Sequence, residues 1–212
     1  MAKRREDRQK RREAVLQAAL DVIVERGLAN TRMSDIAERA GMSAGNILYY
    51  FESKDDLLVE LLRWSDDLLL RQAVEEFEQL PSYTERLRRL TELAGPSGPS
   101  DPSWIVWLEV WSLSPHDERI GQGHADLDRR WVEFLTELVR SGQEAGEFSA
   151  ETDPADFAVR YGAMMDGLAI KVVAGIDGMD VERLLGTCNA MAADELRPRT
   201  ATTRRPAAAA GS

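Results

Sequence analysis

The 212-residue chain has few of the side chains from which metal sites and active sites are most often built. Its one cysteine, Cys188, excludes an internal disulfide and any metal site that needs several thiolates. Its two histidines, His116 and His124, have no carboxylate at metal-site spacing, and we expect both at the surface. A Ser-His-Asp set and a glycine-rich phosphate loop are also missing. We therefore predict no enzyme activity, no cofactor and no metal.

Long apolar runs are missing as well. No stretch approaches the roughly 18 consecutive apolar residues of a membrane span, and no apolar run follows the basic N-terminus as in a secretory signal. We therefore expect a cytoplasmic protein without membrane contact. Strand patterns are scarce, whereas apolar residues recur at helical spacing, with glycine and proline between the periodic runs. The sequence thus predicts an all-α fold of about nine helices.

Charge is distributed unevenly along the chain, whose net charge is −10. Residues 1–12 carry seven basic and two acidic side chains, residues 1–54 have a net charge of +3, and residues 55–212 one of −13. A basic end on an acidic body is typical of a protein that contacts phosphates with one end only. The alternative is a basic tail without a function.

A helix-turn-helix is indicated within residues 31–54. Two short helical segments are joined at Gly41, where glycine can adopt the left-handed conformation of a tight turn. We expect Thr31 to cap the first segment and Ser43 the second. The second segment presents small and polar side chains, which suits the major groove of DNA. The predicted DNA contacts are Thr31, Arg32, Ser34, Ser43, Ala44, Gly45, Asn46, Tyr49, Tyr50 and Lys54.

These side chains have different predicted roles. Asn46 has the groups to hydrogen-bond an adenine edge, while the two tyrosines, Tyr49 and Tyr50, and the amine of Lys54 suit phosphate contacts. The alternative for the aromatic run is a plug in a three-helix core, and we expect that role for Phe51.

The segment resembles the TetR/AcrR family of bacterial transcriptional regulators. The residues in register with the family pattern are Ile36-Ala37, Ala40-Gly41-Met42-Ser43, Gly45, Tyr50-Phe51, Lys54 and Leu57. The resemblance implies an all-helical homodimer with a three-helix head on DNA and a larger ligand-sensing body. Leu48, which helical spacing predicts to be buried, departs from the pattern, because the family usually has a DNA-contacting tyrosine there.

The chain is accordingly divided into three parts. Residues 1–54 are the predicted helix-turn-helix DNA-binding domain with a basic N-terminal arm. Residues 55–197 are the predicted helical domain for effector binding and dimerisation. Residues 198–212, rich in proline, threonine, arginine and alanine, are predicted to be a disordered tail.

Tryptophan spacing points to a ligand cavity in the body. Trp104, Trp107 and Trp111 recur at i, i+3 and i+7 and share one helix face. Aligned indoles can line a cavity and attract a cation, although ordinary core packing is the alternative. Glu109 lies off this face, so we expect it at the surface or near Arg129. The predicted ligand-binding residues are Trp64, Trp104, Trp107, Trp111, Trp131, Tyr161, Met164 and Met165.

Small side chains along the helix predicted over 154–174 favour close helix packing. With the final predicted helix they suit half of a four-helix bundle across a two-fold axis. Two segments of the body, Trp107-Leu108-Glu109-Val110-Trp111 and Asp166-Gly167-Leu168, resemble the BetI-type subgroup of the family.

The sequence therefore predicts a ligand-responsive DNA-binding transcriptional regulator. We expect a homodimeric repressor that a small-molecule effector releases from a palindromic operator in double-stranded DNA. The alternative is a DNA-binding activator or nucleoid-type binder without a small-molecule effector.

Overall fold

The computed structural model describes residues 2–198, without the side chains of residues 2–5 and 44. This part of the chain contains nine α-helices, one short 3-10 turn and no strand. The helices are α1 (Ala2–Arg26), α2 (Met33–Arg39), α3 (Ala44–Leu48), α4 (Lys54–Phe77), α5 (Tyr83–Ala94), α6 (Pro102–Leu113), α7 (Glu118–Glu144), α8 (Pro154–Val173) and α9 (Val181–Glu195). The predicted all-α fold of nine helices is confirmed for the described residues.

Side-chain caps explain where most of these helices begin. Each of the helices α3 to α9 follows a serine or an aspartate whose side chain accepts a hydrogen bond from a backbone N–H in the first turn. Such caps satisfy backbone donors that have no partner within the helix. The cap at Ser43 is as predicted. Helix α8 begins at Pro154, where the helix predicted over 154–174 also begins.

The structure corrects two features near the start of the chain. Helix α1 begins at Ala2, so the predicted basic arm is the first part of a 25-residue helix. Thr31 does not cap α2, because residue Arg32 occupies that position and its backbone N–H donates to the Asp35 carboxylate at 3.0 Å. The turn before α3 is as predicted, with Gly41 in the left-handed region at φ 65°.

The described residues form two hydrophobic clusters. The first combines α1 to α3 with the N-terminal half of α4, and includes Val110 of α6 and Ile120 of α7. The second joins the remainder of α4 with α5 to α9. Since the first cluster contains side chains from both sides of residue 54, the head and the body are packed together. The division at residue 54 stays a prediction.

Helices α4 and α7 approach each other closely at Gly123. A Cβ atom there would lie 2.7 Å from Cγ1 of Val59, so only glycine allows this spacing. Residues 199–212 of the predicted disordered tail lie outside the described residues. Within residues 2–198, no helix is both long and apolar enough to cross a membrane.

Candidate DNA-binding surface and effector cavity

Helix α3 presents an exposed surface. Ser43, Gly45 and Asn46 are exposed, and the Ser43 hydroxyl accepts a hydrogen bond from the Asn46 backbone N–H at 3.3 Å. Tyr49, just after the helix, is 68% exposed. Arg32 and Ser34, at the start of α2, are exposed as well. Six of the predicted DNA contacts are therefore exposed on the head, while the side chain of Ala44 lies outside the described residues.

The basic N-terminal part of α1 lies beside this surface. The guanidinium of Arg8 lies over the Tyr49 ring, 5.3 Å from its centroid. Arg12, one turn later, lies over the Phe51 ring and pairs with Glu60 of α4. These contacts place the positive charges of α1 next to α3. If α3 binds a DNA duplex, these charges would attract its phosphates.

Two predicted DNA contacts have internal roles. The structure corrects the prediction for Thr31: its side chain is buried and its hydroxyl donates to the Gly27 carbonyl at 2.8 Å, so it is not available to DNA. The Lys54 amine donates to the carbonyls of Leu28 and Thr31, at 2.6 and 3.0 Å. One of its three donors remains for a phosphate, and that contact stays a prediction.

The aromatic run after α3 is divided between core and surface. Phe51 is 1% exposed, as expected for a core plug, and Tyr50 is half-buried against the first hydrophobic cluster. The prediction that Leu48 is buried is wrong, because 57% of this residue is exposed. Leu48 and Tyr49 together give the head an apolar contact surface, which suits the methyl groups of thymine.

A cavity of about 650 Å³ lies in the body between α4, α5, α6, α7, α8 and α9. This volume is within the usual range for binding sites of small molecules. The aromatic and methionine lining residues are Trp104, Trp107, Trp111, Trp131 and Met165, and the ionisable ones are Asp66, Glu92, Asp101, His124, Asp128 and Asp166. Five of the eight residues predicted to bind ligand therefore line one cavity.

The indoles of α6 form one wall of this cavity. The rings of Trp104 and Trp111 meet edge to face, with centroids 6.2 Å apart. The Trp104 indole N–H donates to the Ala94 carbonyl at 3.1 Å, which fixes its orientation. Trp107 also lines the cavity, and its ring centroid is 6.0 Å from that of His124. The helical spacing of the three tryptophans correctly predicted this shared face.

His124 was predicted to be a surface group, and the structure corrects this prediction. The residue lines the cavity and holds Trp111 in place. The Trp111 indole N–H donates to Nε2 of His124 at 2.9 Å, so Nε2 carries no proton. Nδ1 of His124 lies 3.2 Å from the Ser114 hydroxyl, which itself donates to the Val110 carbonyl. Burial lowers the pKa of His124 against the opposing effect of Asp128. Both observations indicate a neutral imidazole.

Carboxyl groups supply the remaining polarity of the cavity. Its described lining contains no lysine or arginine. Burial raises the pKa of Asp66 to about 6, and burial together with the nearby charge of Asp128 raises the pKa of Asp166 to about 6. A cavity with aromatic walls and an excess of carboxyl groups favours cations and disfavours anions.

Three residues predicted for the ligand site lie elsewhere. Trp64 lines a surface groove between α1 and α4, since it points to the opposite side of α4. Tyr161 is 1% exposed, and its hydroxyl hydrogen-bonds Thr91 at 2.6 Å, so it belongs to the core. Met164 is half-buried against the second cluster and does not line the cavity. Glu109 also faces away, since its Oε1 lies next to Gly27 at the end of α1.

The acidic lining residues were missed although the sequence contains a signal for them. Asp66 falls at helical spacing with the buried Leu58 and Leu62, so a carboxyl interrupts an apolar stripe. His124 similarly lies in register with the buried Ile120 and Leu127. A titratable residue on an otherwise apolar face is a candidate for a functional site.

The arrangement offers a surface and a cavity suited to binding. Among the described residues, no three or more His, Cys, Asp or Glu side chains are placed to hold a metal ion. The exposed α3 surface and the acidic cavity lie in different parts of the fold and are joined by α4. These features define a helix-turn-helix DNA-binding protein with an internal site for a small molecule.

Comparison with known proteins identifies the family. The model for bacterial regulatory proteins of the TetR family matches residues 15–61. The model for the C-terminal region of BetI-type transcriptional repressors matches residues 83–197, which is more than half of the chain. The chain therefore belongs to the TetR family of transcriptional regulators and has a BetI-type body, as the resemblance of the sequence indicated.

Individual relatives agree with this assignment. The chain is 32% identical to the transcriptional regulator BetI 1 of Chromohalobacter salexigens over 179 residues, 82% of this chain and 84% of that one. A transcriptional regulator from Saccharomonospora viridis, solved in complex with choline, is 33% identical with a TM-score of 0.78, covering 90% of this chain and 100% of that one. A TetR-family regulator from Rhodococcus sp. is 25% identical with a TM-score of 0.79, covering 89% and 99%.

Proposed function

We propose that this protein is a repressor whose affinity for DNA is lowered by a small organic cation. The cation carries a quaternary ammonium group, as choline does. The observation that supports this ligand class is the cavity lining, which combines four indoles with five carboxyl groups. The choline complex of the relative from Saccharomonospora viridis agrees with the same chemistry.

The chemistry of the cavity suits a quaternary ammonium cation better than an anion. A quaternary ammonium group has no N–H to donate, so its binding depends on aromatic faces and on nearby negative charge. The indoles of Trp107 and Trp111 and the carboxyl groups of Asp66 and Asp166 offer both. An anionic ligand would meet several carboxylates and no lysine or arginine among the described lining residues, so it should be rejected.

Helix α4 connects the cavity to the DNA-binding surface. Its first turn is capped by Ser53 and held to the α1–α2 connection by Lys54, directly after the α3 segment. Twelve residues later, Asp66 of the same helix lines the cavity. A cation that prefers a different position of α4 would therefore move the head. The affinity for DNA then falls by the differential binding of the cation to the two positions.

The proposed repressor acts as a homodimer on a palindromic operator. On α8 the exposed residues Ala155, Val159 and Ala163 recur at four-residue spacing, and on α9 the exposed residues Gly186 and Ala190 do the same. Such small side chains allow helices of two copies to pack closely. A two-fold pair would present two α3 helices about 34 Å apart, one DNA turn, to the two halves of an operator.

A set of matched ligands tests the proposed effector class. Isothermal titration would compare choline with its neutral isostere, in which carbon replaces the ammonium nitrogen, and with the zwitterion glycine betaine. We expect choline to bind and the neutral isostere to bind at least about tenfold more weakly, because shape is retained and charge is lost. We expect the zwitterion to be excluded by the carboxylates.

Other results would count against the proposal. Equal binding of choline and its neutral isostere would show that charge is not recognised. No binding of any cation, combined with tight binding to DNA selected from a random pool, would favour a DNA-binding protein without an effector.

A further inference from the structure

Asp66 has a carboxylate oxygen that the protein leaves without a hydrogen-bond donor. Its side chain is 9% exposed, and Oδ2 is buried without a hydrogen-bond partner among the described residues. The nearest cation is the guanidinium of Arg130, whose NH2 lies 3.6 Å away. That same nitrogen donates to Oδ1 of Asp67 at 2.5 Å, so Arg130 is committed to the neighbouring carboxylate. A buried polar atom without a partner is costly and needs an explanation.

The groups around Asp66 are mostly acidic or neutral. The ionisable side chains that share its cavity or its helix turn are Asp67 on α4, Glu92 on α5, Asp101 before α6, His124, Asp128 and Arg130 on α7, and Asp166 on α8. Its pKa is raised to about 6 by burial, with Asp67 raising it further and Arg130 opposing. The carboxyl is therefore partly protonated near this pH when no cation is bound.

Two of the other acidic lining groups, Asp101 and Glu92, already have partners. Asp101 caps α6 through the Trp104 N–H and also accepts from the backbone and the hydroxyl of Ser97. Glu92 pairs with Arg88 and Arg89. Asp66 differs from both because one of its oxygens is buried without a hydrogen-bond donor. The residue also lines the cavity and lies on the helix that leads to the DNA-binding head.

We propose that Asp66 is the counter-ion of the effector's cationic group and that its carboxyl gives up a proton to the solvent buffer as the cation enters. The inference rests on the proposed function, since it requires a cationic effector in this cavity. The process is a proton dissociation and an ion pairing, so no other bond changes. The cation takes the role of the missing partner of Oδ2, and its charge makes the ionised form the favoured one.

Two consequences can be measured. Choline binding weakens as the pH falls below the pKa of Asp66, because the proton then competes with the cation. At about pH 6 half of the Asp66 carboxyls are protonated, so the Asp66 contribution to the proton release is about half a proton per site. Near about pH 8 the carboxyl is already ionised and binding releases almost none. Asp66 would also discriminate between ligands, since a neutral isostere releases no proton.

Isothermal titration of choline tests the inference. The heat of binding is measured in two buffers of equal pH and different ionisation enthalpy, and the difference between the two heats gives the number of protons released. The full chain would be compared with Asp66→Asn, which keeps the size of the side chain and cannot ionise. We expect the variant to bind choline at least about tenfold more weakly near pH 8, because a buried charged partner is lost. Near pH 6 its proton release should fall by about half a proton relative to the unaltered chain.

Two further variants make the result specific. Asp126→Asn removes a carboxylate of α7 that pairs with Arg129 and Arg63 outside the cavity, and we expect it to behave like the unaltered chain. Asp166→Asn removes the other cavity carboxyl group whose pKa is raised. In this variant the protons contributed by Asp66 should still be released. Circular dichroism would establish that each variant is folded.

The outcomes separate this inference from the proposed function. If the unaltered chain binds choline, but Asp66→Asn keeps the same affinity and the same proton release, the assignment of Asp66 is overturned while the effector class stands. Loss of the proton release in Asp166→Asn alone would also overturn it. If the unaltered chain binds no cation, the proposed function itself fails.

Discussion

The indole N–H of Trp111 donates to Nε2 of His124 at 2.9 Å, and this hydrogen bond fixes both rings at the cavity wall. The imidazole accepts there only when it is neutral, and burial lowers its pKa in agreement with that state. The role of His124 is thus to position an indole.

Replacing His124 by alanine should weaken cation binding. Trp111 would lose its acceptor, and a lost hydrogen bond of this kind corresponds to about 1 kcal/mol, or about fivefold to tenfold in affinity. His124→Gln can still accept from the indole through its amide oxygen and should recover part of the loss. His116→Ala, which changes the exposed histidine, is the control. Titration of choline checks the series, and unchanged affinity in His124→Ala would contradict the positioning role.

Asp66→Asn should stabilise the protein without effector at alkaline pH. A carboxyl whose pKa rises on folding favours the folded state at low pH, and that contribution is lost as the pH rises through about 6. At about pH 8 the ionised Asp66 therefore destabilises the folded protein. Its replacement by asparagine should raise the free energy of unfolding by roughly 1–2 kcal/mol. Urea unfolding at about pH 8 and about pH 5 measures the effect. A stabilisation that is larger at the lower pH would contradict this explanation.

Lys54 and Asn46 should affect DNA binding in different ways. Lys54→Ala removes hydrogen bonds to Leu28 and Thr31 and should lower the free energy of unfolding by about 1–2 kcal/mol. Because the head is then held less firmly, binding should weaken equally for all DNA sequences. Asn46→Ala lies on an exposed surface and should leave stability unchanged while altering the preferred bases.

Unfolding curves and binding to a set of operator variants would measure both effects. The assigned roles fail if Asn46→Ala changes stability and Lys54→Ala changes base preference.

A charged residue on the exposed face of α8 should separate the proposed dimer. Ala163→Arg places a long cation on the small-residue face of α8. We expect a monomer in analytical ultracentrifugation and a loss of operator affinity, with choline binding retained because the cavity belongs to one chain. Glu137→Lys on the exposed side of α7 is the control. A fully dimeric Ala163→Arg protein would locate the dimer interface elsewhere.

The head could be predicted from sequence because its signals are local. Gly41, with its positive φ, and Ser43, with its capping hydroxyl, act within a few residues of themselves. Asp153 and Pro154 mark the start of α8 in the same way. Thr31 was misassigned as a cap because the chain begins α2 one residue later, with Asp35 accepting the free N–H.

The cavity could be predicted only in part. The spacing of Trp104, Trp107 and Trp111 fixes a common helix face, and the structure places that face on the cavity. Which other side chains join them depends on packing between distant segments. Tyr161, for example, is held in the core by Thr91, 70 residues earlier in the chain. The unpartnered oxygen of Asp66 likewise depends on how α4 and α7 meet.

The central claim is that a cation in the body weakens binding of the head to DNA. Fluorescence anisotropy with a duplex selected from a random pool would measure operator affinity in the presence of choline or its neutral isostere, each at saturating concentration. We predict that choline lowers the affinity at least about tenfold, while the isostere leaves it unchanged. An operator affinity that choline does not alter, although choline occupies the cavity, would contradict the account.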